Sequence, residues 1–200
     1  LEQPLLERCE VKYCSECRAG VTLHTPHDGV PRYLCTRCRR VFYQSPRLVA
    51  GCIARWEGRV LLCRRGVYPG YGQWSLPAGF IEVGETGARG ALREALEEAN
   101  VAVAVERPYA LFHIAHVNQV HVVYLARLLD GHFRAGSETL EARLFAEEEV
   151  PWSELAFATT RDALRQYFVD YRSGDFGFHF ADVVPFEPWA GAALGPGAPQ

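Results

Sequence analysis

The sequence of 200 residues has no methionine, no long apolar run and no excess of basic residues. No apolar stretch reaches the roughly 18–20 residues that a membrane-spanning helix needs, and the first ten residues lack the apolar region of a signal peptide. Because even the first residue is not methionine, a processed or cut start with a lost targeting segment remains open. The formal net charge of −3 and the pI near 6.2 argue against non-specific binding to nucleic acid, although a local basic patch is compatible with them.

The number of cysteines does not fit a framework in which every cysteine is paired in a disulfide. Seven cysteines are an odd number, which argues against full pairing and for a reducing compartment, so we expect a cytoplasmic protein without a membrane segment. The hydrophobic fraction of 48% is enough to fill a core, which excludes a disordered chain.

The chain divides into two unequal parts and a tail. Residues 9–44 contain five cysteines, several turn formers and little apolar periodicity, whereas residues 46–183 are rich in apolar runs. From Pro185 the composition changes to proline, glycine and alanine, so residues 185–200 are predicted to be a disordered tail. We therefore expect a small first domain and a larger second domain.

Apolar periodicity in the second part alternates between strand and helix patterns. A hairpin is predicted from "LVAGCIARWE" and "RVLLCRR" around the "EGR" turn, and "WSLPAGF" is predicted to be a short strand that ends in a loop. A helix is expected over residues 86–99 with Thr86 as its N-cap, and an amphipathic helix over 159–173 that Gly174 ends. Further strands are predicted in "VAVAVERP", "ALFHIAHV", "VHVVYLARLL", "EARLFA" and "FGFHFADV".

Two cysteine pairs in the first part have metal-ligand spacing. Cys14-x-x-Cys17 and Cys35-x-x-Cys38 can each form a knuckle, and four thiolates complete the tetrahedral shell that structural Zn²⁺ prefers. Because the segment has too little apolar sequence to fold alone, metal binding would supply the missing free energy. The four cysteines thus predict a structural zinc ribbon.

Other interpretations of these cysteines and their neighbours were weighed. The pairs could form a redox centre, or the spacing could arise by chance. Alternative ligands would be Cys9, His24 and His27, for which loop or surface positions are expected instead. Cys52 and Cys63 lie in apolar runs and are expected to be buried packing residues.

Three glutamates lie on one face of the predicted helix over residues 86–99. Glu94, Glu97 and Glu98 are three and four residues apart, so their like charges would repel each other on an isolated helix. Clustered carboxylates are favourable if a divalent cation lies among them, since Mg²⁺ and Mn²⁺ take oxygen ligands. An ordinary solvated helix with salt bridges is the alternative. The opposite face, with three alanines and the leucines Leu92 and Leu96, is expected to pack on a sheet.

The order of residues around these glutamates resembles a known motif. Gly79, Glu85 and the run from Arg93 to Val101 are similar to the Nudix box, Gly-x5-Glu-x7-Arg-Glu-U-x-Glu-Glu-x-Gly-U, in which U is apolar. Asn100 stands where the box has its second glycine. Asparagine is the next best residue in the left-handed conformation at a helix end, so we expect this departure to change little.

The resemblance implies a fold, a reaction and a set of residue roles. The expected fold is an α/β/α Nudix sandwich with a mixed sheet, preceded by a zinc ribbon. The expected reaction is hydrolysis of the pyrophosphate bond in a nucleoside diphosphate linked to another group. By match to the box, Glu94, Glu97, Glu98 and the Gly79 carbonyl would bind Mg²⁺ or Mn²⁺, and Arg93 would hold the carboxylate geometry. The general base is left open between Glu94 and the later residues Glu138 and Glu141.

Over residues 10–183, which include the ribbon, the chain is similar to one Nudix branch, the bacterial and plant FAD and ADP-ribose pyrophosphatases. That branch implies FAD or ADP-ribose as substrate, AMP as a product, and a possible homodimer. NADH pyrophosphatases share the layout, but their Ser-Gln-Pro-Trp-Pro-Phe-Pro-x-Ser stretch is absent. The alternatives are therefore an NADH or NAD-cap pyrophosphatase, and a regulator that senses a nucleotide or binds nucleic acid without cleaving anything.

Substrate contacts are less defined by the sequence. Arg64 and Arg65 could bind phosphate, and a flat ring could stack on an aromatic side chain. For each aromatic candidate, core packing is the competing expectation: Tyr71, Trp74, Phe80, Phe112 and Tyr124. Packing or surface roles are expected for the strand histidines, which are His113, His116 and His121. A small-molecule nucleotide is the expected partner, and nucleic acid is not.

Overall fold

The computed structural model describes residues 11–183, which form two compact units. One unit runs up to Arg47 and includes His116–Asn118, and the other contains Leu48–Ala115 and the chain from Gln119 onward. The predicted tail over 185–200 and the alternative ligand Cys9 lie outside the described residues. The predicted domain boundaries, 9–44 and 46–183, stay a prediction.

The first unit contains an antiparallel three-stranded sheet in the order β1-β2-β3. Its strands are β1 (Val21–His24), β2 (Arg32–Cys35) and β3 (Val41–Phe42). Each cysteine pair lies in a tight turn of the same form. The amide of Cys14 donates to the Ala19 carbonyl at 2.8 Å, and the amide of Cys35 donates to the Arg40 carbonyl at 2.9 Å.

In both turns the arginine after the second cysteine is in the left-handed region. Arg18 has φ 59° and Arg39 has φ 62°, a conformation that costs a non-glycine residue free energy. The two knuckles therefore share one strained backbone form, which turns the chain back sharply behind each cysteine pair.

The second unit is built on a mixed sheet in the order β10-β5-β4-β9-β8-β11. Two short strands extend it, because β6 pairs with β5 and β7 pairs with β4. The pairing of β11 with β8 is parallel, whereas β8 with β9 and β10 with β5 are antiparallel. The strands are β4 (Arg47–Trp56), β5 (Arg59–Arg65), β6 (Trp74–Ser75), β7 (Ala78–Phe80), β8 (Val103–Ile114), β9 (Gln119–Leu128), β10 (Thr139–Phe145) and β11 (His179–Asp182).

One helix covers each face of this sheet. Helix α1 (Gly87–Ala99) buries three alanines against one apolar cluster, and α2 (Ala158–Ser173) buries a larger, partly aromatic surface against another. Neighbouring strand residues alternate between the clusters, so Ile53 faces α2 while Cys52 and Ala54 face α1. The predicted α/β/α sandwich with a mixed sheet is confirmed.

The predicted ends of the helices and the hairpin are present. The Thr86 side chain accepts a hydrogen bond from the Arg89 amide at 3.3 Å, as expected for an N-cap, and Gly174 ends α2 with φ 75°. The β4–β5 turn consists of Glu57 and Gly58, both with positive φ, which matches the twist of a two-residue hairpin.

Three expectations about local structure were wrong. The runs over 101–108 and 110–117 form a single strand, β8, which absorbs Pro108 through irregularities in its pairing with β9. The run "WSLPAGF" is divided between β6 and β7. Leu92 and Leu96 do not join the packing face of α1, because they are 37% and 57% exposed and only the alanine stripe meets the sheet.

A buried polar group attaches the last strand to the second helix. The carboxylate of Asp170 on α2 accepts from the Tyr109 hydroxyl at 2.8 Å and lies 2.7 Å from Nε2 of His179 on β11. Within residues 11–183 no helix is long and apolar enough to cross a membrane.

Candidate active site

The glutamate face of α1 lies against the loop that follows β6. Gly79 in β7 approaches the helix so closely that a Cβ added there would lie 2.1 Å from Oε1 of Glu94. In the same strand, the amide of Ala78 donates to Oε2 of Glu98 at 3.3 Å. The absence of a side chain at Gly79 is therefore what lets the backbone meet the Glu94 carboxylate.

Arg93 connects the helix to this loop. Its guanidinium contacts both oxygens of Glu85 at 3.0 Å and donates to the Phe80 carbonyl at 2.9 Å. It also donates to Glu94 at 2.6 Å and to Glu97 at 3.0 Å. The predicted role of Arg93 in holding the carboxylates agrees with these contacts, which fix the loop by charge-assisted hydrogen bonds.

Burial makes two of the carboxylates hard to ionise. Burial, followed by the charge of Glu94, raises the pKa of Glu98 to about 7 from an ordinary 4.5. Burial also raises the pKa of Glu94, although Arg93 opposes the change. In contrast, hydrogen bonds from Arg93 lower the pKa of Glu85. The site therefore has a deficit of positive charge beside Glu94 and Glu98, which a cation would correct.

The three box glutamates do not all converge on one point. The side chain of Glu94 is 12% exposed, whereas that of Glu97 is 57% exposed and is directed toward Arg93. Among residues 11–183, the only group of three or more His, Cys, Asp or Glu residues whose ligand atoms all lie within 4.8 Å of one another is the cysteine cluster. The glutamates thus offer an open, partly hydrated set of oxygens, which suits ions such as Mg²⁺ that usually keep several waters.

A fifth carboxylate, that of Glu138, acts on this site from the segment between β9 and β10. The charge of Glu138 raises the pKa of both Glu94 and Glu98, although burial is the larger cause in each case. Its backbone carbonyl accepts from the Gly66 amide at 2.7 Å. Glu141, the other late candidate for the base, lies within β10 on an exposed position. Glu138 is exposed as well, so the feature that favours it is the effect of its charge on Glu94 and Glu98.

Arg65 contributes a positive charge to the same region. It lowers the pKa of Glu98, against the larger effect of burial, and its Nε donates to the Pro69 carbonyl at 2.7 Å. The neighbouring Arg64 donates to the Gly72 carbonyl at 2.8 Å. Both arginines therefore hold the loop between β5 and β6.

This arginine-held loop presents two exposed tyrosines. Tyr68 and Tyr71 are 85% and 52% exposed, and their rings stack at 5.7 Å between centroids. Sequence reasoning named Tyr71 but missed Tyr68, for which only its position in the same loop gave a signal. Of the other aromatic candidates, Trp74 and Phe112 are buried core residues, and Phe80 is 43% exposed.

The four cysteines of the first unit come together as predicted. Sγ of Cys14 lies 3.5 Å from Sγ of Cys38, and Sγ of Cys17 lies 3.4 Å from Sγ of Cys35. Zinc–sulfur bonds of about 2.3 Å in a tetrahedron require sulfur atoms about 3.8 Å apart, so this cluster fits Zn²⁺ closely. His24 and His27 are not part of it.

The protonation of this cluster also favours a bound cation. A hydrogen bond from the Ala19 amide lowers the pKa of Cys17 to about 6. The Arg40 amide favours the Cys38 thiolate in the same way, but the neighbouring thiols, Cys35 first, and burial outweigh it and raise the pKa of Cys38 to about 12. Four neighbouring thiolates thus require a compensating positive charge.

The remaining candidates have structural surroundings. Cys52 and Cys63 are buried packing residues as expected, and burial raises the pKa of Cys52 to about 12. Burial lowers the pKa of His121 to about 4, and its Nε2 lies 2.9 Å from the Gln119 side chain. His113 lies 3.5 Å from Asp182 at the parallel edge of the sheet.

Comparison with known families agrees with the fold and the motif. The NUDIX domain family matches residues 45–168, and the family described as Nudix N-terminal, a zinc ribbon, matches residues 12–44. The chain therefore belongs to the Nudix family and is a Nudix hydrolase with an N-terminal zinc-ribbon domain.

Individual relatives share different parts of the chain. A crystal structure of a Nudix hydrolase from Nitrosomonas europaea is 43% identical and covers 86% of this chain and 99% of its own, with a TM-score of 0.84. An ADP-ribose pyrophosphatase from Methanocaldococcus jannaschii is 28% identical over 58% of this chain and 69% of its own length. The NAD-capped RNA hydrolase NudC from Vibrio vulnificus is 26% identical over 82% of this chain, which spans only 61% of that relative.

The cysteine cluster generates a prediction about metal content. The purified protein should contain about one zinc ion per chain by mass spectrometry of the metals, since four convergent thiolates bind Zn²⁺ tightly. Cys38→Ser should lose most of this zinc. Cys52→Ala, which removes a buried thiol outside the cluster, should keep it. Full zinc retention by Cys38→Ser would contradict the assignment.

The buried Glu98 generates a prediction about pH. The pKa of Glu98 is about 7 in the folded protein and about 4.5 in an unfolded chain. With respect to Glu98, the folded state is therefore fully stable below about pH 4.5, where this residue is protonated in both states, and it loses stability as the pH rises through about 7. Without added Mg²⁺, the free energy of unfolding of the wild-type protein should therefore fall by on the order of 1–3 kcal/mol between pH 5 and pH 8. Glu98→Gln should not show this fall.

Thermal unfolding at both pH values, with the zinc site left loaded, measures this difference. Added Mg²⁺ should recover the loss at pH 8, because a cation binds the ionised carboxylate. Glu97→Gln is the matched control, since its side chain is 57% exposed and stays hydrated. Equal pH dependence in wild type and Glu98→Gln would show that burial of Glu98 carries no such cost.

Proposed function

We propose that this Nudix hydrolase cleaves the pyrophosphate bond of ADP-ribose or FAD and releases AMP in a metal-dependent reaction. The observation that carries the proposal is the partly buried pair Glu94 and Glu98, whose ionisation is unfavourable until positive charge is supplied. The relative from Methanocaldococcus jannaschii, an ADP-ribose pyrophosphatase, supports ADP-ribose as the first substrate to test.

The oxygen ligands for the cation would come from α1 and β7. Glu94, Glu97 and Glu98 and the carbonyl of Gly79 would hold Mg²⁺ or Mn²⁺, and hard carboxylate and carbonyl oxygens fit these ions. When bound, a divalent cation neutralises the pyrophosphate and lowers the barrier for attack by water.

The protein's own side chains would position the reactants and accept a proton. Arg93 holds the Glu94 carboxylate by a hydrogen bond, and the Gly79 backbone lies close to the same carboxylate. The water's proton would pass to a carboxylate oxygen of Glu138 or Glu94, which lie in mutual electrostatic range. Arg65, near Glu98, would stabilise negative charge on the phosphate that leaves.

The stacked tyrosines would bind the flat ring of the nucleotide. Tyr68 and Tyr71 present exposed rings on a loop that Arg64 and Arg65 hold by hydrogen bonds to its carbonyls. Stacking on such rings accepts adenine and flavin alike, since every base has a π-face. This arrangement supports a dinucleotide-type substrate without choosing between FAD and ADP-ribose.

A second candidate is cleavage of NADH or of NAD-capped RNA. The NudC relative from Vibrio vulnificus, an NAD-capped RNA hydrolase, matches across 82% of this chain. The absent proline-rich stretch argues against this candidate. The non-catalytic regulator, the homodimer, the lack of a nucleic-acid partner and the cytoplasmic location all stay predictions.

Product analysis tests the proposal directly. Incubation with ADP-ribose, FAD, NADH and NAD⁺ separately, each with Mg²⁺ and with Mn²⁺, should release AMP fastest from ADP-ribose or FAD. Glu98→Gln should lower kcat by on the order of a hundredfold or more, because a carboxylate oxygen is lost from the cation site. Fastest turnover of NADH would select the second candidate. Absence of turnover with the metal sites loaded would leave the regulator.

The tyrosine loop generates a prediction about binding. Tyr71→Ala should raise KM for ADP-ribose roughly five- to tenfold with little change in kcat, since loss of stacking removes uniform binding energy. Tyr43→Ala, which removes an exposed tyrosine from the other unit, is the control. Steady-state kinetics with unchanged KM for Tyr71→Ala would remove this loop from the nucleotide site.

A further inference from the structure

The carboxyl end of α1 and the segment over 130–138 form one hydrogen-bonded structure. The amide of Arg134 donates to the Ala99 carbonyl, and the amide of Gly136 donates to the Glu98 carbonyl, both at 2.9 Å. The last carbonyls of a helix have no partner within it. The segment therefore supplies the amides that these two carbonyls lack.

The side chain of Asn100 donates hydrogen bonds from the end of α1 to the segment. Asn100 ends α1 in the left-handed region with φ 45°, and its Nδ2 donates to the carbonyls of Arg134 and Ala135 at 3.3 Å each. A glycine at this position would adopt the same backbone with less strain but would have no amide to donate. The asparagine side chain thus does more than end the helix.

Gly136 allows the contact to be this close. A Cβ added to Gly136 would lie 1.8 Å from the Glu97 carbonyl oxygen, which is rigid helix backbone. Any side chain there would push the segment away from the helix. Two independent features, the Asn100 amide and the bare Gly136 backbone, therefore hold the same contact.

The far end of the segment carries Glu138. Its carbonyl accepts from the Gly66 amide at 2.7 Å, and the next residue, Thr139, begins β10 opposite Arg65. The segment is thus fixed at the helix end and at the sheet. Glu138 lies at the sheet end, close enough for its charge to act on Glu94 and Glu98.

We propose that Asn100 is a positioning residue that sets the place of Glu138 in the active site through the backbone of residues 134–136. The inference rests on the proposed function for its effect on turnover, and it assigns a role to the one position at which the chain departs from the Nudix box. The glycine of the box would end the helix equally well but would leave the segment held only by its own amides.

Asn100→Gly is the direct test. It restores the residue of the box and keeps the left-handed backbone, so the protein should fold with an unchanged thermal midpoint. With ADP-ribose at saturating Mg²⁺, kcat should fall roughly ten- to a hundredfold while KM stays within about twofold, because displacement of a reacting group by about 1 Å costs on that order. Gly136→Ala should produce the same loss by a second route.

Asn118→Gly is the matched control. Asn118 is also left-handed, with φ 53°, and its Nδ2 also donates to a backbone carbonyl, that of Ser45, but it lies in the other compact unit. This variant should keep the wild-type kcat. An equal loss in both variants would show a general effect of the substitution and would overturn the proposal.

A double-mutant cycle tests whether Asn100 acts through Glu138. Glu138→Gln alone should lower kcat, and adding Asn100→Gly to it should cause little further loss. If the two losses multiply, Asn100 acts on some other group and the proposal is wrong. An unchanged kcat for Asn100→Gly alone would overturn it as well.

Hydrogen exchange separates failure of this inference from failure of the proposed function. Peptides that cover residues 130–138 should exchange faster in Asn100→Gly than in wild type, whether or not any nucleotide is cleaved. Unchanged exchange would show that the side chain does not hold the segment, whatever the activity. If Asn100→Gly exchanges faster than wild type but the wild type itself shows no turnover, the anchoring by Asn100 is supported and its catalytic role is overturned. In that case the proposed function is the part that failed.

Discussion

The contacts of Arg93 are the interaction on which the active-site geometry depends. One guanidinium joins Glu85 and the Phe80 carbonyl on the loop to Glu94 and Glu97 on the helix. Its planar fork of donors can hold several acceptors in fixed directions, which a lysine could not do. Within residues 11–183, however, Glu98 has no ion pair, and the charge of Arg65 lowers its pKa less than burial raises it, so the charge of the cluster is only partly balanced. A site of this kind is both ordered and in need of a cation.

The sandwich makes this arrangement possible through small residues. Helix α1 meets the sheet with Gly90 and three alanines, and this brings its glutamate edge close to strand β7. At Gly79 this strand has no side chain to separate the two. The thin layer between α1 and the sheet also places the buried thiols of Cys52 and Cys63 near Glu98, whose charge raises the pKa of both, after burial. Close packing and costly ionisation at Glu98 thus have the same origin.

Much of the fold and of the site could be predicted because the signals are local. Cysteine spacing, the N-cap at Thr86 and the order of charged residues along α1 each depend on a few neighbours in sequence. Leu92 and Leu96 were misplaced, since helical periodicity does not show how narrow the packing stripe is. The proximity of Glu138 and the second role of Asn100 depend on contacts across more than thirty residues. No pattern within α1 or β10 could indicate them, and Tyr68 likewise became a candidate only when its ring was found against Tyr71.

The attachment of the segment over 130–138 at both ends has a consequence for natural variation and for protein engineering. Between Leu129, whose amide donates to the Ala102 carbonyl, and Arg134, the chain can change length without moving either attachment. Arg134, Ala135 and Gly136 are attached to the helix end, and Glu138 and Thr139 are attached to the sheet. Insertions should therefore be accepted in the first half of the segment. A single added residue in the second half should shift Glu138 out of register with the helix.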